Sequence, residues 1–283
     1  MSDAITIARH ALREAIRRRV LLVVALLTAV FLGLFALAAN EAFDSLERTP
    51  RGIPIDERAL AGGTLLGLSM FVALFLGVVL AVFLTLDAVR GDAERGLLQP
   101  LVVRPVGRTT LLAGRLLAAS VVCASYVVTV FLLAAVITHA AGDFWPSSLV
   151  VPAAGLALGV VTVVAVSLLG STVLSTTANG IAVFMVFATG LAAGLLGQIG
   201  EGLEIDALET ASSIISWIVP FEALYQNGLH ALTSDIGGAA GVIVQLGPFG
   251  GASNVGVGIW AWAVLWSAAV LALAAVAFGR RDL

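Results

Sequence analysis

Residues 87–115 read DAVRGDAERGLLQPLVVRPVGRTTLLAGR and place five arginines and three acidic residues in a short stretch. The residues on either side are strongly apolar, since neither 62–86 nor 116–138 contains Asp, Glu, Arg or Lys. A bilayer core about 30 Å thick is crossed by roughly 20 residues of helix. Each flanking run is therefore long enough to span a membrane, and the charged stretch between them is a loop at the membrane surface.

The rest of the chain repeats this alternation of long apolar runs and short polar segments. It is 60% hydrophobic and 12% charged, with a mean hydropathy of +1.06. Lipid offers no partner to backbone polar groups, so uncharged runs of this length form helices, and the lack of alternating polar residues argues against a barrel. We predict one all-α transmembrane domain over 1–283, with six transmembrane helices. The six runs lie at approximately 20–39, 62–86, 116–138, 149–174, 180–199 and 258–278.

The arginines are divided unequally between the two sides of the membrane that six spans define. Only Arg48, Arg51 and Arg58 fall on one side, and the other twelve fall on the side of both termini and 87–115. Twelve of the eighteen acidic residues lie on the side with few arginines. Loops that remain in the cytoplasm retain an excess of positive charge. We therefore expect a multi-pass protein of the cell membrane with both termini and the charged loop in the cytoplasm.

The residues before the first span have the pattern of an amphipathic helix over 1–19. Arg9, Arg13 and Arg17 recur every four residues, on a different face from Ile5, Ala8, Leu12 and Ile16. Such a helix lies in the interface with its guanidinium groups near anionic lipid headgroups. It is either a topology anchor or a lever that contacts a cytoplasmic partner. The apolar run that follows is longer than a signal-peptide core, so we expect an uncleaved first span.

The segment 200–257 between the last two spans changes character along its length. It begins acidic, continues as SSIISWIVPFEALYQNGLHAL over 212–232, and ends rich in glycine. Its middle part is too short, and too broken by Pro220, to span. Trp217, Phe221 and Tyr225 recur every four residues, an aromatic stripe that suits helices at the outer headgroup region. The segment either caps the outer mouth of a pathway or is an interfacial connector.

Several kinds of chemistry are absent from the sequence. The chain has no lysine, so it cannot contain the G-x-x-x-x-G-K-[ST] phosphate loop. It has no H-E-x-x-H and no G-x-S-x-G, and His10, His139 and His230 have no metal-ligand spacing. We therefore expect a protein that is not an enzyme, that holds neither metal nor cofactor, and that has no nucleic-acid partner.

The six spans contain hydroxyl groups but no ionisable side chain of the kind that couples transport to an ion. The hydroxyls include Thr28, Thr129, Ser167, Ser171, Thr172 and Thr189. Proton coupling through the spans is therefore disfavoured. The spacings GLALG at 155–159 and GLAAG at 190–194 are compatible with close helix packing, although glycine is common in membrane helices.

Within the charged loop, the spacing predicts a short helix, a proline-marked turn and a second helix that enters the third span. Asp87, Arg90 and Glu94 lie on one side of the first helix, and Pro100 and Pro105 end it. From spacing alone this is a solvated loop under the positive-inside bias.

The loop resembles the one between the second and third spans of ABC-2 type permeases. That loop has an acidic residue, a glycine, a leucine-rich stretch, a proline followed by an arginine, and a glycine with a basic residue. The matching positions are Glu94, Gly96, Leu97, Leu98, Pro105, Arg108, Gly114 and Arg115. ARHALREAIRRRVLLVVALL at 8–27 is similar to their elbow helix, and SWIVPFEAL at 216–224 to their outer segment. Leu97 stands where threonine is frequent, Arg115 where lysine is frequent, and Pro100 is an additional break.

The resemblance implies a permease subunit of an ATP-binding cassette transporter, with ATP held on a separate cytoplasmic P-loop ATPase. A second permease copy or a paralogue, and membrane lipids, would be the other partners. The loop over 87–115 would supply a coupling helix, with Arg90 and the matching positions at the ATPase, and the elbow arginines would move with it. Export of an amphipathic compound or lipid is the expected use. The alternatives are a structural or accessory membrane protein that transports nothing, and a secondary transporter.

Overall fold

A computed structural model describes residues 19–48, 56–85, 108–234, 236 and 256–280. Within these ranges the chain forms eight helices and no strand. They are α1 Arg19–Arg48, α2 Glu57–Thr85, α3 Arg108–Gly142, α4 Val150–Val173, α5 Thr176–Leu203, α6 Asp206–Ile218, α7 Phe221–Thr233 and α8 Gly258–Gly279. The predicted elbow helix before Arg19 and the coupling loop before Arg108 lie outside the described residues.

Six of these helices, α1 to α5 and α8, are long and apolar enough to cross a membrane. The prediction of an all-α fold with six membrane spans is confirmed. Several helices are longer than the apolar runs that predicted them. The 30 residues of α1 continue to Arg48, which makes this helix about 45 Å long. It therefore crosses the hydrocarbon core and continues through the headgroup layer, where charged residues are solvated.

The bundle has two ends, the loop end and the hairpin end. The loop end holds the end of α2 at Thr85, the start of α3 at Arg108 and the turn between α4 and α5. The hairpin end holds the end of α5 at Leu203 and the start of α8 at Gly258. The short helices α6 and α7 lie between these last two points and do not cross the bundle.

The centre of the bundle is formed by α2 and α4. In the most apolar 18-residue stretch of each helix, 61% of α2 and 56% of α4 is buried, whereas only 17% of α1 is. The main core cluster joins α2, α3 and α4 through Met70, Leu74, Val127, Phe131 and Val160. In a membrane protein the remaining apolar faces meet lipid or another subunit. The outer faces of α1, α5 and α8 are of this kind.

Candidate functional site

The helices α6 and α7 form a hairpin that folds back into the bundle. The chain reverses after α5 at Glu204, which has a left-handed φ of 55°. α6 then runs back along α5, with Ser212 against Gly197. Pro220 follows the end of α6 and precedes α7, a position where a missing backbone N–H costs little.

The hairpin turn reaches well below the hairpin end of the bundle. The ring of Phe221, the first residue of α7, lies against Gly190 of α5. From Gly190 to Leu203 the helix rises about 20 Å. The turn therefore lies at a depth that a headgroup-level connector would not reach.

One glycine pair of α4 accepts the backbone of α7. A Cβ added at Gly155 would lie 2.8 Å from the carbonyl oxygen of Leu224. One added at Gly159 would lie 3.6 Å from the carbonyl oxygen of Phe221. These two glycines are the GLALG spacing of the sequence, and their small size allows the two helix backbones to approach closely.

A second glycine pair, on α5, accepts the side chains of α7. A Cβ added at Gly190 would lie 2.5 Å from the ring of Phe221, and one added at Gly194 would collide with Oε1 of Glu222. This pair is the GLAAG spacing. Both spacings therefore do pack closely, and both pack against the same 13-residue helix.

The two helices of the hairpin differ sharply in burial. Every residue of α7 from Phe221 to Leu229 is buried, whereas on α6 Ile214 and Ile218 are 55% and 58% exposed. Trp217 is half exposed on α6, while Tyr225 is buried on α7. The interpretation of Trp217, Phe221 and Tyr225 as one interfacial stripe is therefore wrong, because the chain reverses direction between the first and second of them.

α7 brings a carboxyl group into the bundle. Glu222 is 0% exposed, and its Oε1 accepts a hydrogen bond of 3.2 Å from Nε2 of Gln226. Its Oε2 has no hydrogen-bond partner among the residues that the structure describes. Burial raises the pKa of the Glu222 carboxyl to about 8, against a smaller opposing effect of the Gln226 hydrogen bond. The group is therefore mainly protonated at pH 7.

The prediction that the six spans hold no ionisable group does not cover Glu222, because α7 is not a span. The sequence does contain a sign of this polar face. After Pro220, the polar residues Glu222, Gln226 and His230 are spaced four residues apart. Residues at that spacing share one helix face, and this face runs from the hairpin turn towards the hairpin end. Across the described ranges, no three His, Cys, Asp or Glu side chains come together as a metal site would require.

An apolar crevice lies at the hairpin turn. It encloses about 10 Å³, and the wider space of about 230 Å³ around it includes open solvent. Its aromatic walls are Phe187 of α5, Phe221 of α7 and Trp266 of α8, and valines of α4 and α5 with Thr162 and Val219 complete the lining. Phe187 and Phe221 stack with their ring centroids 5.1 Å apart. In this conformation the crevice has room for a methyl-sized group, and a ring or a longer chain enters only if its walls move apart.

α8 also contacts the hairpin. Nε1 of Trp262 donates a hydrogen bond of 2.9 Å to the carbonyl oxygen of Trp217, near the end of α6. The two rings meet edge to face, with centroids 5.6 Å apart. The turn of the hairpin is therefore enclosed by α4, α5 and α8.

Few of the residues predicted to contact an ATPase lie in the described part of the chain. Arg108 begins α3, Gly114 is buried, and Arg115 is half-buried about 10 Å further along the helix. The structure does not describe the other predicted contacts, which are Arg90, Glu94, Gly96, Leu97, Leu98 and Pro105. The same holds for the elbow residues Arg9, Arg13 and Arg17.

At the loop end, polar groups connect three helices inside the bundle. Oγ1 of Thr85 and Oγ of Ser167 are hydrogen-bonded at 2.5 Å. Nδ2 of Asn179 donates to the carbonyl oxygen of Ser167 at 3.0 Å. Thr85 is the last residue of α2, directly before the predicted coupling loop. The end of α2 is therefore joined to α4 and α5, the two helices that hold α7.

Replacing Asn179 with alanine should remove the link between α4 and α5 and destabilise the fold by about 1 kcal/mol, the usual size of such bonds between membrane helices. The midpoint of thermal unfolding in detergent should fall by about 2 to 4 °C. Thr129→Ala is the matched control, since Thr129 is exposed and bonds only to the carbonyl oxygen of Ser125 in its own helix. Equal shifts in the two variants would contradict a linking role for Asn179.

Comparison with known proteins adds one match over nearly the whole chain. A family model described as ABC-2 family transporter protein matches residues 5–283. No curated protein matches the chain. The matched range includes the six spans, the hairpin and the charged loop.

Proposed function

Because the chain belongs to the ABC-2 family of transporter proteins, we propose that it is the permease subunit of an ATP-binding cassette exporter. The proposed cargo is an amphipathic compound or a lipid. The observation that carries this cargo class is the crevice at the hairpin turn, which is apolar except for Thr162 and opens to the outside of the chain. A water-soluble, highly polar cargo would find few partners there.

Energy for transport comes, in this proposal, from ATP on a separate cytoplasmic P-loop ATPase. The absence of lysine supports this division, since this chain cannot form the phosphate loop itself. The loop end faces the cytoplasm of the cell, in keeping with the twelve arginines on that side. The loop over 87–115 contacts the ATPase, and the elbow helix moves with it.

The arrangement of helices supports a route from the ATPase contact to the cargo site. Movement of the loop acts on the end of α2, and Thr85 connects that end to Ser167 of α4 and Asn179 of α5. α4 and α5 carry the glycine pairs that hold α7. With a second permease copy or a paralogue, the complex switches between inward-open and outward-open or occluded states. In this switch the hairpin turn moves relative to the other walls of the crevice.

Affinity purification of the full chain from native membranes tests the partnership. We expect a P-loop ATPase subunit in a fixed ratio to the permease, and its repeated absence would overturn the proposal. A scaffold that transports nothing would bring down partners without such an ATPase. A secondary transporter would retain transport in proteoliposomes without ATP, whereas the proposed exporter should lose it.

A further inference from the structure

The carboxyl of Glu222 is buried, and no positive charge lies beside it among the residues that the structure describes. The helices packed against α7 are α2, α4, α5, α6 and α8, and α4 and α8 carry no charged residue between their first and last described positions. The others have charged residues only at the hairpin end, exposed or half-exposed: Glu57, Arg58, Glu201, Asp206 and Glu209. Arg58 is 3.1 Å from Glu47. On α7 itself the other titratable groups are Tyr225 and His230.

A buried carboxylate is stable in a protein only when it is paired with a cation or protonated. Oε2 of Glu222 has no protein partner within the described chain. The Glu222 carboxyl can therefore accept a positive charge in exchange for its proton. Such an exchange leaves the low-dielectric interior neutral before and after.

The carboxyl and the crevice follow one another on a single face of α5. Phe187 lines the crevice, Gly190 lies under the Phe221 ring, and Gly194 lies under the Glu222 carboxyl. Their spacing of three and four residues sets them about one helical turn apart, or about 5 Å each. The Phe221 ring lies against Gly190, between the two levels on this face.

We propose that Glu222 binds the positively charged nitrogen of an amphipathic substrate whose apolar part occupies the crevice at the hairpin turn. This inference rests on the proposed function and names the substrate class, a hydrophobic organic cation. On binding, the O–H bond of the carboxyl breaks, the proton leaves to water, and the carboxylate pairs with the cation.

One further feature suits a cation at this place. Glu222 lies in the first turn of α7, where the helix dipole favours the ionised carboxylate that the cation requires.

Exchange of a proton for a cation makes binding depend on pH in one direction. The free carboxyl has a pKa of about 8, so at pH 9 it is mostly ionised and at pH 6 the proton competes with the ligand. The apparent affinity should therefore fall by about a hundredfold from pH 9 to pH 6.

A pair of isosteric probes tests the proposal on the full chain in phosphatidylcholine nanodiscs, with no ATPase added. One probe joins a dansyl group through a pentyl chain to trimethylammonium, whose charge does not titrate. In the other, a tert-butyl group replaces the trimethylammonium. Fluorescence titration at pH 9 should show binding of the cation at least tenfold tighter than that of the neutral probe, with the predicted loss at pH 6.

Glu222→Gln retains the shape and the Gln226 contact but cannot ionise. This variant should bind the two probes equally and independently of pH. Glu209→Gln is the matched control, because Glu209 is exposed on α6 of the same hairpin, and it should behave as the parent. Calorimetry of the parent at pH 7 in two buffers of different ionisation enthalpy should show release of about one proton, a result that does not depend on a variant folding.

Equal binding of the two probes by the parent, or binding without proton release, would overturn the cation site. Neither result would affect the transporter proposal, which depends on recovery of the ATPase. Conversely, charge-selective and pH-dependent binding by a chain that never co-purifies with an ATPase would retain the site and overturn the exporter.

Discussion

Gly155→Leu should drive α7 out of its position between α4 and α5 and abolish cargo-dependent activity. Even a Cβ at this position would lie 2.8 Å from the carbonyl oxygen of Leu224. The obstructing atom belongs to the backbone, so a rotamer change cannot relieve the collision and the helix itself must move. Overpacking of this kind costs about 1 to 3 kcal/mol in a core.

Labelling of a single engineered cysteine can report the displacement directly. Cys123, the only cysteine in the sequence, is buried, so it contributes a low background. Ala223→Cys, at a site 1% exposed, should react slowly with a water-soluble maleimide in the parent and at least tenfold faster when Gly155→Leu is added.

The control for this experiment is Gly33→Leu in α1. A Cβ at Gly33 would meet nothing within 4 Å, so the same change in size should leave labelling and stability unchanged. Unchanged labelling in the Gly155→Leu protein as well would mean that α7 is not held by its contact with α4.

The double variant Glu94→Gln, Arg108→Gln should abolish cargo-stimulated ATP hydrolysis by the reconstituted complex while leaving membrane insertion intact. These residues carry the opposite charges of the loop that the proposal puts against the ATPase. Loss of both removes complementary contacts at that surface, and a drop in stimulated hydrolysis of at least tenfold is expected. Hydrolysis is measured in proteoliposomes, and insertion by the elution profile of the purified chain.

A control pair of charged residues at the hairpin end distinguishes a loss of coupling from a general effect of removing charge. Glu47 and Arg58 are 3.1 Å apart and mainly exposed. Exposed ion pairs contribute little to stability, with about 0 to 1 kcal/mol typical. Glu47→Gln, Arg58→Gln should therefore retain stimulated hydrolysis. Retention in the Glu94 and Arg108 variant as well would refute the coupling role.

The six spans could be predicted because their cause is local. A run of about 20 uncharged residues becomes a membrane helix wherever it stands, so composition was sufficient. The ends were less predictable, since residues up to Arg48 remain helical beyond the apolar run. Those positions lie in the headgroup layer and have no hydrophobic signature.

The hairpin could not be predicted in the same way, because its burial comes from the other helices. α7 contains Glu222, Gln226 and Asn227, so its hydropathy does not indicate an interior helix. The two glycine spacings indicated close packing but did not identify what packs there. The crevice requires contributions from α4, α5, α7 and α8, and no single segment encodes it. The family resemblance predicts a coupling role for the charged loop, and this stays a prediction because most of its residues lie outside the described structure.

The fit of α7 between two glycine pairs also has a consequence for biogenesis. A 13-residue helix with a carboxyl and two carboxamide side chains is too short and too polar to partition into lipid alone. The position that α7 occupies forms only after α4 and α5 have been inserted and have packed together. The third helix that encloses the hairpin, α8, must also be inserted. The hairpin is therefore a late step of assembly, completed after the spans have been delivered to the bilayer. A chain arrested before that step would have all six spans in the membrane and an unfolded segment still open to proteases at the hairpin end.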